Sequence, residues 1–175
     1  GWIFEDENGN KVDREELLQR MKTHIDSVVG RYKGTIYAWD VVNEAISDKP
    51  DELLRKSDWL EIIGEDFIAK AFEYARAADP DAKLYYNDYN AIIPEKRDRI
   101  YKMLKNLVEN DVPIDGVGIQ GHWSIYGPSE EELRKAMDMY SSLGLDVQIT
   151  ELDVSLYPWE KEQLDLRPDD VDEYT

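Results

Sequence analysis

Four short apolar runs, each closed by a cluster of polar residues, constrain the fold of this chain more than any other feature. The runs cover residues 36–45, 83–86, 116–119 and 145–150. They are rich in β-branched and aromatic residues and are too short for ordinary helices, so they predict buried strands. The polar residues that close or follow the runs are Asn43 and Glu44, then Asn87 and Tyr89, then Gln120 and His122, and finally Glu151 and Asp153.

Amphipathic helices are predicted before and between these strands. Apolar residues recur with helical spacing over residues 13–29 and 62–78, after Pro94, and between Ser129 and Gly144. One helix followed by four strands with three intervening helices predicts a parallel sheet with right-handed crossovers. Because the carboxyl ends of parallel strands meet at one edge, the four polar clusters should share that edge. This arrangement is typical of the mouth of a (β/α)₈ barrel.

Composition narrows the class of protein. The 175 residues, of which 42% are hydrophobic, suffice for one domain with a substantial core. With 39 acidic and 21 basic residues the net charge is −18, so nucleic acid is not expected as a partner. No apolar segment is long enough to predict a membrane span. The 11 Tyr and 5 Trp offer flat apolar faces of the kind that sugar rings stack on, although core packing is the better explanation for any single ring.

Glu44 and Glu151 are the candidate catalytic pair. Cleavage of a glycosidic bond requires one carboxylic acid to protonate the departing oxygen and a second carboxylate at the anomeric carbon. In a flat sheet the first and fourth strands would lie about 14 Å apart, at about 4.8 Å per strand step. If the strands curl into an eight-stranded barrel, the two side chains can approach the roughly 5.5 Å of a retaining glycosidase.

His122 is one of two histidines and follows the third predicted strand. A histidine in this place either orients a catalytic carboxylate or is an ordinary hydrogen-bonded structural residue, and the sequence leaves both interpretations open. Asp153 is the candidate partner for its second ring nitrogen. One histidine and scattered carboxylates do not make a metal site, and the absence of cysteine excludes thiolate ligands, so neither a metal nor another cofactor is predicted.

Four motifs carry a resemblance to a known family. They read WDVVNEA, YYNDYN, GIQGHWS and ITELDVS, and together they extend over nearly the whole chain. In order and spacing they closely resemble glycoside hydrolase family 10, the endo-1,4-β-xylanases. The Asn-Glu pair by itself would indicate only the wider clan of (β/α)₈ retaining glycosidases.

The resemblance implies a role for each polar residue. Glu44 would be the acid/base on the fourth barrel strand, and Glu151 would be the nucleophile on the seventh. The implied substrate is xylan or a xylo-oligosaccharide, and the implied location is extracellular. Asn43 would bond the sugar 2-hydroxyl, Asn87, Tyr89, Gln120 and His122 would line the cleft, and His122 with Asp153 would support the nucleophile.

The resemblance also implies that the barrel is incomplete. The family's first three strands and its eighth strand have no counterpart, so the expected fold is α/β, a partial (β/α)₈ TIM barrel of four parallel strands alternating with helices. It would occupy residues 1–175 as a single partial domain, with an acidic loop or tail over residues 156–175. Its unpaired edges would be completed by the missing barrel segments or by a second copy of the chain.

Three functions stay open on the sequence. The first is an endo-1,4-β-xylanase that acts by double displacement. The second is a non-catalytic fragment that binds xylan or acts only after association with a complementing piece. The third is a clan relative that cleaves other β-1,4-glycans.

Overall fold

The computed structural model describes residues 3–156, which contain five helices and four strands. The acidic tail predicted over residues 156–175 lies outside this range, apart from Leu156. Within the range, no helix is both long enough and apolar enough to cross a bilayer. The elements are α1 (Arg14–Arg31), β1 (Ala38–Asn43), α2 (Asp58–Ile62), α3 (Phe67–Ala78), β2 (Lys83–Asp88), α4 (Pro94–Glu109), β3 (Gly116–Ser124), α5 (Glu130–Ser141) and β4 (Asp146–Ser155).

The four strands form one parallel sheet in chain order, β1-β2-β3-β4. A helix separates each strand from the next, which is the crossover that a parallel connection requires. The expected α/β architecture, four parallel strands alternating with helices in a partial barrel, is confirmed. Within residues 3–156 no strand pairs with the outer edge of β1 or of β4.

The core lies between the sheet and the helices that cover it. Phe72 of α3, Leu104 of α4 and Tyr140 of α5 are fully buried, as are Leu84 of β2 and Ile119 of β3. Each large apolar side chain stabilises the fold by about 1.5–3 kcal/mol when it leaves water. This packing fixes how the strands lie against the helices, and therefore where the carboxyl ends of the strands are presented.

The helix predicted over residues 62–78 is present but begins later, because α3 begins at Phe67. A separate short helix that was not predicted, α2, precedes it and ends at Ile62. Gly64, between them, has a φ of +100°, a conformation that glycine adopts without the steric cost that other residues meet. The apolar spacing continues across the break because residues on both sides of it face the same core. The sequence pattern alone could not show the interruption.

Strands β3 and β4 are longer than the sequence predicts. β3 continues to Ser124 and β4 to Ser155, so Gln120, His122 and Glu151 lie within strands rather than after them. The predicted strands ended with the last apolar residue of each run. Strand pairing, however, uses backbone hydrogen bonds, so a strand can continue through polar side chains. The polar residues at this edge are therefore held by the sheet itself.

Candidate active site

A bulge in β4 presents Glu151. Gln120 pairs with Thr150, but the next pair in the register is His122 with Asp153, so β4 has one more residue than β3 over this stretch. A bulge re-aims the side chains beside it and is common next to active sites. β1 has a similar irregularity against β2, shortly before Glu44.

Both glutamates have left-handed backbone conformations. Glu44 has a φ of +56° and Glu151 a φ of +51°, a conformation that costs a non-glycine residue about 1–3 kcal/mol and persists only where the surrounding structure holds it. At Glu44 the restraint is visible, since its N–H donates to the carbonyl of Asn87 at 2.9 Å. The next two backbone N–H groups both donate to the hydroxyl of buried Tyr86, at 3.0 and 3.1 Å.

Amide side chains connect the two carboxylates. Asn87 Nδ2 donates to Glu151 Oε1 at 2.7 Å and to Asn43 Oδ1 at 3.0 Å. Gln120 Nε2 donates to that same Asn43 oxygen and to Glu44 Oε1, both at 3.1 Å. Four side chains from four strands, together with Glu44 directly after β1, therefore form one continuous hydrogen-bonded chain, which we call the amide bridge.

Asn87 is 1% exposed, and its amide contacts Glu151. Thr150 Oγ1 donates to Asn87 Oδ1 at 2.6 Å, which fixes the amide so that its NH₂ faces the carboxylate. Gly118 leaves room for this amide, because a Cβ added there would lie 2.4 Å from Asn87 Oδ1.

Gly118→Ala is therefore expected to lower the free energy of unfolding by about 1–3 kcal/mol, the usual effect of overpacking a close contact. Gly30 is the matched control. It lies in α1 with open space around its Cα, so Gly30→Ala should raise the unfolding free energy by up to about 1 kcal/mol. Urea unfolding of the complete protein measures both. Equal changes in the two variants would contradict the contact at Gly118.

His122 lies between two carboxylates. Its Nδ1 is 2.5 Å from Asp153 Oδ2, and its Nε2 is 3.1 Å from Glu151 Oε2. The hydrogen bond to Asp153, followed by that to Glu151, raises the pKa of His122 above its ordinary value of 6.5. The protonated ring can donate to both carboxylates at once, which fixes the second oxygen of Glu151 as Asn87 fixes the first.

The raised pKa of His122 can be tested by NMR titration of its ring protons. In the protein the midpoint should lie above pH 6.5, and Asp153→Asn should move it down, because the hydrogen bond to Asp153 is the largest cause of the shift. The associated stabilisation is complete below pH 6.5 and is lost as pH rises through the folded-state pKa. An unchanged midpoint in Asp153→Asn would show that the ion pair is not formed.

Tyr89 is fixed beside Glu44 by charged neighbours. Its hydroxyl accepts a hydrogen bond from Arg55 Nη2 at 2.7 Å and donates to Asp48. Burial, together with the bond to Asp48, raises the pKa of Tyr89 to about 12. Arg55 Nη1 also lies 3.4 Å from Glu44 Oε2, and the ammonium of buried Lys96 lies 3.3 Å from the centroid of the Tyr89 ring. The ring is neutral and held on two sides.

The two glutamates line one open groove of about 660 Å³. Tyr89, Gln120 and His122 line the same groove. Asn43 lines a second groove of about 510 Å³ over α1, β1 and α3, and Glu44 takes part in both. Both carboxylates therefore face open space, and the amide bridge connects them.

Some residues of the site were not identified from the sequence. Arg55 and Asp48 lie in a stretch that reads only as a polar loop, and Lys96 falls in the first turn of a helix. Tyr86 and Thr150 are residue types that are common in strands for packing reasons, so nothing in the sequence indicates that their hydroxyls form hydrogen bonds at the site. No spacing in the sequence connects these residues to Glu44 or Glu151, because their contacts arise between separate elements.

Two carboxylates that face one groove can divide the roles of acid and nucleophile. Asn87 and His122 contact the two oxygens of Glu151, while Gln120 and Arg55 contact those of Glu44. The pair lies at the carboxyl edge of a partial (β/α)₈ barrel, where such folds place their active sites. Fold and site together define the chain as part of a (β/α)₈ glycoside hydrolase.

Comparison with known proteins supplies the family. The model of Glycosyl hydrolase family 10 matches residues 1–174, so the chain belongs to that family. This confirms the resemblance carried by the four motifs.

The chain is similar to several xylanases. It is 50% identical over 165 residues to endo-1,4-beta-xylanase B of Paenibacillus barcinonensis and 51% identical over 165 residues to an endo-1,4-beta-xylanase of Geobacillus stearothermophilus. In both cases the match covers 94% of this chain and 50% of the relative, so the chain spans about half the length of these proteins.

Solved structures share the fold. A crystal structure of xylanase XynB from Paenibacillus barcinonensis, in complex with a conduramine derivative, matches with a TM-score of 0.91 at 50% identity. The match covers 94% of this chain and 50% of the XynB chain. A mutant structure in complex with xylotriose has a TM-score of 0.90 at 46% identity, with the same shares covered.

Proposed function

We propose that the complete protein is a retaining endo-1,4-β-xylanase, which hydrolyses internal β-1,4-xylosidic bonds of xylan. The observation that carries this proposal is the convergence of Glu44 and Glu151 on one groove, where the amide bridge joins them. Membership of family 10, relatives named endo-1,4-beta-xylanase and a related structure with bound xylotriose support the substrate class.

In the proposed mechanism Glu151 attacks the anomeric carbon while protonated Glu44 gives its proton to the departing glycosidic oxygen. The bond from the anomeric carbon to that oxygen breaks, and a bond to Glu151 forms. Glu44, now ionised, takes a proton from water, whose oxygen attacks the same carbon and releases Glu151. Two inversions return the original configuration and both carboxyl groups to their starting states.

The neighbouring side chains suit these roles. Asn87 and protonated His122 hold the two oxygens of Glu151, so that the nucleophile needs little reorientation before it attacks. Asn43, with its side chain oxygen already engaged by Asn87 and Gln120, has its NH₂ group to offer to a sugar hydroxyl. Tyr89 provides a fixed ring beside Glu44.

The proposal is tested on the complete protein with a panel of polysaccharides and with NMR of the products. Reducing ends should be released faster from xylan than from β-1,4-glucan or β-1,4-mannan, and the β-anomer should appear first. Preferred cleavage of glucan or mannan would favour the clan relative, and initial release of the α-anomer would rule out double displacement.

Because xylan is a polymer too large to cross a bilayer, we also propose that the protein acts outside the cell, to be tested by assaying the culture medium.

A second candidate is that residues 1–175 act only in association with a complementing piece. Among residues 3–156 nothing pairs with the outer edges of β1 and β4, which favours this candidate, as does the second groove, whose wall includes Met21, Ile25 and Phe67. The discriminating experiment assays the 175-residue chain on xylan alone and after mixing with the remaining strands. Activity only after mixing supports the second candidate, and full activity of the chain alone contradicts it.

A further inference from the structure

A buried polar cluster near Glu44 takes no part in the bond-making and bond-breaking steps. Tyr86 and Asp88 of β2 are fully buried, and Lys96 in the first turn of α4 is 3% exposed. The ammonium of Lys96 lies 2.9 Å from Asp88 Oδ1, and Asp88 Oδ2 accepts a hydrogen bond from the Tyr86 hydroxyl. A buried ion pair contributes little to stability, because removing its charges from water is costly. Stability alone therefore does not explain the cluster.

The Tyr86 hydroxyl connects this cluster to the backbone that follows Glu44. Its oxygen accepts hydrogen bonds from the N–H groups of Ala45 and Ile46 at 3.0 and 3.1 Å, and its proton is donated to Asp88. Burial, together with the negative charge of Asp88, raises the pKa of Tyr86 well above its ordinary value of 10.0, so the hydroxyl keeps its proton. The one donor and both acceptor positions of the hydroxyl are in use, which leaves it a single orientation.

The position of these two N–H groups in the chain gives the contact its importance. They belong to the residues directly after Glu44, whose φ of +56° persists only where the surroundings hold it. A change of backbone conformation at Glu44 would turn its side chain and move its carboxyl group. The Tyr86 hydroxyl therefore helps to fix the direction in which this carboxyl group points.

The same cluster reaches the carboxyl group of Glu44 by a second route. Lys96 Nζ lies 3.0 Å from Asp48 Oδ1. Arg55 lies 3.9 Å from Asp48 Oδ2 and 3.4 Å from Glu44 Oε2. A series of ion pairs thus runs from the buried Asp88–Lys96 pair to the Glu44 carboxyl group. Both the backbone and the side chain of Glu44 are restrained from this one pair.

We propose that Tyr86 and Asp88 are positioning residues for the acid/base. Tyr86 holds the backbone that follows Glu44, and Asp88 fixes the orientation of the Tyr86 hydroxyl, so that the carboxyl group is aimed at the departing oxygen. Both residues are fully buried and neither lines the groove, so they act through Glu44 and not on the substrate. This inference rests on the proposed function, since it assigns residues that prepare Glu44 for the same reaction.

The test separates the aiming of the acid from a general loosening of the fold. In the full-length protein, Tyr86→Phe keeps the ring and removes the hydroxyl. Its kcat/KM on xylan should fall by about tenfold to a hundredfold, because the departing sugar oxygen needs a proton from a well-placed acid. On an aryl xylobioside with a strongly acidic phenol, kcat/KM should change by less than about twofold, because that leaving group departs without a proton.

Tyr140→Phe is the matched control. Tyr140 is as buried as Tyr86, but its hydroxyl donates to the carbonyl of Ala91, at 2.6 Å, rather than contacting the backbone after Glu44. Thermal unfolding should show that both variants fold with a lowered midpoint, since each loses a buried hydrogen bond. Tyr140→Phe should nevertheless retain the wild-type kcat/KM on both substrates.

Asp88→Asn tests the second positioning residue. It should also lower kcat/KM on xylan more than on the aryl xylobioside. Added to Tyr86→Phe, it should leave the ratio of the two kcat/KM values where Tyr86→Phe alone puts it, because both changes act through one contact. A wild-type ratio in Asp88→Asn would overturn the role of Asp88. If Asp88→Asn does not fold, Tyr86→Phe decides the proposal.

Three results for the tyrosine variants would overturn the inference. They are a wild-type rate of Tyr86→Phe on xylan, an equal loss on both substrates, and the same difference between substrates in Tyr140→Phe. Each of them presupposes an active wild-type protein. A wild-type protein that leaves both xylan and the aryl xylobioside intact would instead overturn the proposed function.

Discussion

Glu151→Gln in the complete protein is expected to lower kcat/KM on xylan by about four orders of magnitude or more. The neutral amide has nearly the shape of the carboxylate but cannot form the glycosyl-enzyme bond. The loss should be as large on an aryl xylobioside as on xylan, because every substrate must pass through attack on the anomeric carbon, whatever its leaving group. Initial-rate measurements on the two substrates give the comparison.

The control for Glu151 is an ordinary surface glutamate. Glu130, in the first turn of α5, has an exposed side chain paired with Arg134, so Glu130→Gln should retain wild-type rates. Thermal unfolding of both variants shows whether the fold is intact. If Glu151→Gln were folded and cleaved either substrate within about tenfold of the wild-type rate, Glu151 would not be the nucleophile.

The sequence predicted the order of strands and helices because apolar residues recur with a different spacing in each. A helix needs an apolar stripe every three to four residues, whereas a buried strand shows a short continuous apolar run. It also indicated which strands carry polar residues at their carboxyl ends. Parallel strands place those ends at one edge, so Glu44, Asn87, Gln120 and Glu151 could be assigned to one region before any coordinate was known. Their assembly in the structure follows from topology more than from any local motif.

What the sequence could not show is how the glutamates are aimed. The sequence around Glu44 and Glu151 does not indicate a φ near +50°, because neither residue is a glycine and neither follows residues that are typical of a turn. The conformation is imposed by bonds from other elements, such as the hydroxyl of Tyr86 on β2. The bulge in β4 is likewise visible only when its register is compared with that of β3.

Arg55 illustrates the same limit for charged residues. In the sequence it is one basic residue in a polar loop, and the loop's composition indicates exposure. In the structure its guanidinium contacts Glu44, the hydroxyl of Tyr89 and Asp48, while the ammonium of Lys96 lies against the ring of Tyr89. Sequence distances of 11 and 34 residues separate Arg55 from its two partners. Such contacts depend on how loops fold over the edge of the sheet, which short-range patterns do not encode.

Glu44→Ala should have an effect that depends on the leaving group, unlike a change at Glu151. On xylan, whose sugar oxygen must be protonated as it departs, kcat/KM is expected to fall by about 10² to 10⁴, the usual contribution of a general acid. On an aryl xylobioside with a strongly acidic phenol the first step needs no proton, so kcat/KM should fall little. The second step still lacks its base, so kcat should fall and the glycosyl-enzyme should accumulate, with a burst of phenol followed by a slow steady state.

Azide then distinguishes the two glutamates by stereochemistry. In Glu44→Ala the anion can enter the space left by the carboxylate and attack the glycosyl-enzyme, so added azide should restore turnover of the aryl substrate and yield the β-xylobiosyl azide. In Glu151→Ala it would instead take the place of the nucleophile and give the α-azide in a single inversion. NMR of the products reads the configuration directly. An α-azide from Glu44→Ala, or a β-azide from Glu151→Ala, would require the two roles to be exchanged, because each product records which face of the sugar the missing carboxylate had occupied.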